Sequence, residues 1–208
     1  MAHISSIGAG IYSDLSIHFG SDANVDCSLP ATPDVITNWA PLFATIDDAL
    51  AGAAKYTRIT NIREFPSFGT PPNIVNVPVY GQASSQQIQG QSDAPSIELT
   101  INYVPNDWAS GTLLGDAVAD GITHLFRFTL LNAMPPGYSS VAGSGSATTE
   151  SLGGDTSNKT VTGNSQYFWA GKIEAIMVNP QLTDANTATL TLSIQSDFYG
   201  AFTTDAVA

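Results

Sequence analysis

The chain contains one cysteine, Cys27, so no internal disulfide can form and no cysteine-built zinc cluster can be assembled. Only burial and hydrogen bonds can hold the fold together. Charge is also scarce: charged residues make up 12% of the 208 positions, about half the ~25% usual for soluble domains. What charge there is has one sign, with 6 Lys and Arg against 18 Asp and Glu, a net charge of -12. The basic residues (Lys55, Arg58, Arg63, Arg127, Lys159, Lys172) are spread between positions 55 and 172. Nucleic-acid binding that works by neutralising phosphates needs clustered cations and is excluded. No apolar run approaches the ~18 residues of a membrane span, and the N-terminus lacks a basic segment followed by an apolar one. The expectation is a protein made and folded in the cytosol.

Against these absences stand a hydrophobic content of 43%, three Trp, seven Tyr and nine Phe, enough for a packed interior. The pattern is mainly β. Residues 56–65 are rich in β-formers and end at Pro66, and residues 73–80 are extended, with Pro78 marking an edge strand. In residues 96–104, Ile97, Leu99, Ile101 and Tyr103 alternate with Glu98, Thr100 and Asn102, so one face is buried and one is wet. Residues 123–132, 167–179 and 186–198 complete the strands, and in the last Leu190, Leu192 and Ile194 oppose Thr189, Thr191, Ser193 and Gln195. Short helices are expected at 41–54, from the spacing of Leu42, Phe43, Ile46 and Leu50, and at 108–120, between an Asp107 or Ser110 cap and Gly121. The glutamine-rich stretch 81–91 reads as a hairpin arm, and the Gly/Ser/Thr-rich stretch 135–165 as a long exposed loop.

Catalytic patterns fail residue by residue. His3, His18 and His124 are far apart in sequence, and the calcium-like opening Asp22-Ala-Asn24-Val-Asp26 has Cys27 where the turn glycine belongs and Pro33 where the bidentate glutamate belongs. Gly143-Ser-Gly-Ser146 is not a nucleophile elbow, and Gly8-Ala-Gly10 lacks the third glycine of a dinucleotide loop. Asp47 and Asp48 are neighbours in a helical segment and face apart, while Glu98 and Glu174 belong to polar strand faces. The expectation is no enzyme, no catalytic residue, no metal and no cofactor.

The order of elements resembles one family. A strand at 56–65 is followed by one at 96–104 closing in Tyr103-Val-Pro-Asn-Asp107, a short helix to Gly121 and a strand at 124–131. Then come Tyr167-Phe-Trp-Ala-Gly171-Lys-Ile and the Thr/Ser-alternating run Ala188 to Ser196. Over residues 55–202 this looks like the major tail, or tail tube, proteins of long-tailed bacteriophages. The resemblance implies a β-sandwich or half-barrel with a flanking short α-helix. Hexameric rings of it would close an inter-subunit β-barrel and stack into the hollow conduit for DNA. The implied protein is a structural virion component, assembled in the host cytoplasm, whose partners are its own copies and other tail proteins; DNA passes without specific binding. The division expected is an N-terminal extension with a short helix at 1–54, the β domain at 55–202 with the loop insertion 135–165, and a tail at 203–208. A β-sandwich surface module, such as a capsid decoration or carbohydrate-binding protein, is the alternative.

Two residue sets follow from that reading. The lumen-facing candidates are Glu98, Thr100, Asn102, Lys172, Glu174, Thr189, Thr191, Ser193 and Gln195, where uncharged polar side chains would let a polyanion slide; Lys172 is expected to be offset by Glu174 or Glu98. The inter-ring candidates are Asn73, Val75, Val77, Gln82, Gln86, Gln87 and Gln89. The loop 135–165 is expected on the outer surface, away from the bore.

Overall fold

The computed structural model describes residues 14–20, 25–43, 56–59, 61–67, 69, 72–81, 83–92, 96–130 and 165–203. Its strands are β1 (Asp14–His18), β2 (Tyr56–Ile59), β3 (Ile62–Glu64), β4 (Pro72–Val77), β5 (Gln86–Ser92), β6 (Ile97–Asn102), β7 (His124–Leu130), β8 (Ser165–Asn179), β9 (Thr187–Ile194) and β10 (Tyr199–Thr203), with one α-helical turn among the described residues, α1 (Leu113–Asp116), and 3-10 turns at Ile36–Asn38 and Ala40–Phe43. The main sheet runs β2-β1-β7-β8-β9-β6-β3, with β10 added to β8; β4 and β5 form a separate pair. All these ladders are antiparallel. The fold is thus mainly β, as the alternation predicts, and consistent with a β-sandwich.

β8 organises the whole. Its first half lies between β7 and β10, pairing from Ser165 to Gly171 with β7, and its second half runs on from Gly171 beside β9. One strand therefore joins two half-sheets. They share a core in which Leu15, Ile17, Ile59, Phe126 and Trp169 from one half meet Ile97, Leu99, Ile101, Leu190 and Leu192 from the other, closed by Leu113 and Leu114 of α1. The inward residues of β6 and β9 are those the alternation assigns.

Several elements differ from expectation. Residues 56–65 do not make one strand, because Asn61 takes a left-handed φ of 60° that breaks the ladder. β2 then pairs with β1 at one end of the sheet and β3 with β6 at the other. The helix expected over 108–120 shrinks to a single turn. Gly111, at a φ of 90°, cannot continue a helix, so Thr112 rather than Asp107 or Ser110 is the cap, its hydroxyl accepting from Gly115 N.

The segment before residue 55 is also more than an extension: Asp14–His18 is a strand between β2 and β7. It escapes sequence detection because five residues hold only two inward apolar side chains, Leu15 and Ile17. In the helix expected at 41–54, a 3-10 turn covers Ala40–Phe43 and the remainder lies outside the described residues. Residues 135–164 and the end of the C-terminal tail lie outside them as well.

The segment 25–43 roofs the outer face of the first half-sheet. Trp39 is fully buried, stacked on Phe168 at 4.7 Å and 15°, and its indole N–H donates to the Pro33 carbonyl at 2.8 Å. Phe43 and Tyr56 cover the guanidinium of Arg127, whose Cζ lies 4.7 Å and 5.0 Å from their ring centres. Arg127 also donates to the Ser16 hydroxyl at 3.2 Å. Ring faces and a hydroxyl replace some of the water this cation loses on burial, an exchange worth about 2 kcal/mol when desolvated.

Candidate functional site

Nothing comparable to the 25–43 roof covers the second half-sheet among the described residues. Its outer face, formed by β3, β6, β9 and the second half of β8, is the open surface on which the sequence candidates converge. Three cross-strand rows define it: Glu98, Thr191 and Ala175; Thr100, Thr189 and Met177; Asn102, Thr187 and Asn179. Lys172 pairs with Ser193 above the first row, and Glu64 flanks Thr100. The rows alternate with the inward rows Ile97, Leu192, Ile173 and Leu99, Leu190, Ile176, so one side is packed and the other presents mostly hydroxyls and amides. A hydroxyl network tidies one end, where Ser193 donates to Glu174 and Gln195 donates to Ser193.

A bulge sets which β8 residues belong here. Ile173 faces Leu192 while Ala175 already faces Thr191, leaving Glu174 as the extra residue. Strict alternation from Lys172 would turn Ile176 and Val178 outward. The bulge returns Ile176 to the core and places Ala175 and Met177 on the open rows, which the sequence reading missed because a bulge leaves no mark in hydrophobic alternation. The Lys172 ammonium donates to the Gly121 carbonyl, and its charge acts on Asp26. Glu174 is bonded to Ser193, the residue paired with Lys172.

The inter-ring candidates fall on the β4–β5 arm. Val75 opposes Ile88 and Val77 opposes Gln86 on one side, whereas Gln87 and Gln89 project on the other, opposite Asn76 and Ile74. Gln86, Gln87 and Gln89 are exposed. Asn73 lies within β4, and Gln82 is outside the described residues.

Beside the open face, the loop after α1 is stitched down from both sides. Ala119 N donates to Ile173 O, Thr123 N to Asp26 Oδ1 at 2.6 Å, and Cys27 N to Thr123 O. His124, 1% exposed, places Nε2 3.1 Å from Asp120 and meets the edge of the Phe19 ring at 5.1 Å. Burial holds its pKa below the ordinary 6.5, opposed by Asp120 and Asp26 and assisted by Lys172. The unfolded chain therefore binds this proton more readily than the folded one. His124 contributes stability that is complete above its unfolded pKa of 6.5 and is lost as pH falls below it. Melting temperature is expected to drop between pH 7 and 5, with a slope of at most ~1.4 kcal/mol per pH unit from one group. In His124→Asn that slope should flatten, and an unchanged slope would assign the effect elsewhere. Cys27 responds at the other extreme: burial pushes its thiol up to about 11, leaving it protonated and unreactive at neutral pH.

Among the described residues, no three His, Cys, Asp or Glu side chains converge as metal ligands, and no helix is long and apolar enough to cross a membrane. No protein-family model matches the chain, and no curated protein matches it.

Proposed function

We propose that this chain is the major tail tube subunit of a long-tailed bacteriophage, a structural virion protein whose stacked hexameric rings form the conduit for DNA. The observation that carries the reading is the second half-sheet, in which one face is packed into the core and the other lies open and mostly uncharged in a chain of net charge -12. Such a wall repels a polyanion weakly and offers it few cationic footholds, the Lys172 ammonium being engaged by the Gly121 carbonyl.

The edges of this half-sheet support lateral closure. Among the described residues, positions 174–179 of β8 pair with β9 on one side only, and β3 pairs only with β6. Joining such edges between copies removes the aggregation hazard that they pose singly. Four strands from each of about six copies, spaced ~4.8 Å apart and tilted ~40°, close on a backbone diameter of roughly 50 Å. That bore admits duplex DNA after side chains take their share. The rows through Thr191 and Thr189 would line it, and the β4–β5 arm would reach the next ring.

Negative-stain microscopy of purified protein is expected to show rings or hollow tubes. Compact single particles at all concentrations would overturn the proposal in favour of a β-sandwich surface module.

A further inference from the structure

Lys172 is the only cation in the β6–β9 and β8–β9 ladders, and it stands on the open face opposite Ser193. A lysine ammonium rides on a flexible four-carbon stem, so its place in a strand does not fix where its charge acts. What holds the ammonium decides that. Here the holder is the Gly121 carbonyl, in the loop that leads into β7.

That loop is fastened on three sides. Ala119 N donates at 2.8 Å to the carbonyl of Ile173, the residue after Lys172, and Cys27 N donates at 2.8 Å to the Thr123 carbonyl. Thr123 N donates at 2.6 Å to Asp26 Oδ1, at the rim of the roof segment. Of the two carboxylates beside the loop, Asp120 is already committed: Oδ1 accepts from Ile122 N at 2.8 Å and Oδ2 lies 3.1 Å from His124 Nε2. Asp26 is the one that both holds the loop and answers the lysine. Its bonds to Thr123 keep its carboxyl below the usual carboxylate range, and the Lys172 charge acts in the same direction. On the open face itself, Glu174 accepts from the Ser193 hydroxyl.

We propose that Asp26 is a positioning residue for the open face: by anchoring Thr123 and countering Lys172, it parks this cation against Gly121 and away from a passing polyanion. A phosphate competing for Lys172 must break the Gly121 bond and draw the ammonium from Asp26. The rim of the roof thereby sets the charge of a face that the roof does not cover. The consequence for DNA rests on the tube reading; the parking does not.

The test labels full-length protein with trace acetic anhydride and reads Lys172 by mass spectrometry. Native Lys172 is expected to react about fivefold more slowly than the same residue in urea, the upper range for an exposed charge pair. Asp26→Ala, which loses both acceptor and charge, should remove most of that protection, and Asp26→Asn, which keeps an acceptor, should fall between. Circular dichroism establishes that each variant is folded. Equal rates in native and unfolded wild type, or protection unchanged in Asp26→Ala, would overturn the inference and leave the tube reading intact. If the alanine variant does not fold, full protection in Asp26→Asn overturns it. Particles built with Asp26→Ala subunits should also release DNA more slowly at low salt, and the double variant Asp26→Ala/Lys172→Gln should recover the wild-type rate. Slow release that the glutamine does not rescue would make Asp26 merely structural, against the proposal. Protection lost with release unchanged would uphold the parking and place the open face outside the bore.

Discussion

Replacing Gly171 with alanine is expected to lower the melting temperature by roughly 10 °C, and replacing it with valine to leave no folded protein. Gly171 is the residue at which β8 leaves β7 and joins β9, paired with His124 on one side and Ile194 on the other. A Cβ there would lie 2.4 Å from the Ser193 carbonyl oxygen and 3.4 Å from the Phe126 ring. The first obstacle is backbone, held in the β8–β9 ladder, and cannot swing aside as a side chain would. Relief requires separating two strands at the junction of the half-sheets, which costs about 3 kcal/mol for one methyl group and roughly 10 °C in a chain of this size. Valine adds two methyl groups toward Phe126, itself stacked on Trp169 at 5.5 Å in the centre of the core. Thermal unfolding followed by circular dichroism reads both variants. An alanine variant melting within a degree or two of wild type would mean that the strands have room to spare.

Particles built with Thr189→Lys subunits are expected to assemble normally and to release DNA at least tenfold more slowly at low salt. Thr189 occupies the middle row of the open face, opposite Thr100 on one strand and Met177 on the other. If that face lines the bore, a single substitution places a ring of lysines at every level of the tube, each able to displace a counterion from a passing phosphate. The resulting drag must weaken steeply with salt, since log affinity falls by about 0.9 per phosphate contact for each unit of log salt. Thr189→Gln, only one atom shorter than lysine and neutral, should release DNA at the wild-type rate. Unchanged release from the lysine variant at low salt would place the open face outside the bore.

The alternation in β6 and β9 was legible because a strand with one buried side writes its period directly into the sequence. Ile97, Leu99 and Ile101 against Glu98, Thr100 and Asn102 admit one orientation, since a slip of one residue would expose all three. The arm was legible for the opposite reason, its glutamines leaving it little to bury. β7 was less informative: His124–Leu130 is buried on both sides apart from Leu130, so apolar residues and Arg127 follow one another without a period. β1 was not legible at all, because Ser16 and His18 face the roof segment and look like the residues of a solvated turn until that segment is in place.

The sequence by itself determined the class of the fold, the inward and outward faces of β6 and β9, the near absence of positive charge from the polar face, and the neutrality of the arm. Each is a local property, carried by neighbouring residues. Tertiary structure decided which polar faces stay open. Ser16, His18 and Arg127 resemble Thr100, Thr189 and Thr191 in polarity, yet the first three lie beneath Trp39 and Phe43 and the others are left uncovered on the opposite half-sheet. It also decided where β8 changes sides, because the bulge at Glu174 is set by pairing with β9 rather than by the residues of β8. Both outcomes depend on contacts between segments distant in the chain, and a hydrophobic pattern records only that a side chain is apolar or polar, not which distant segment comes to cover it.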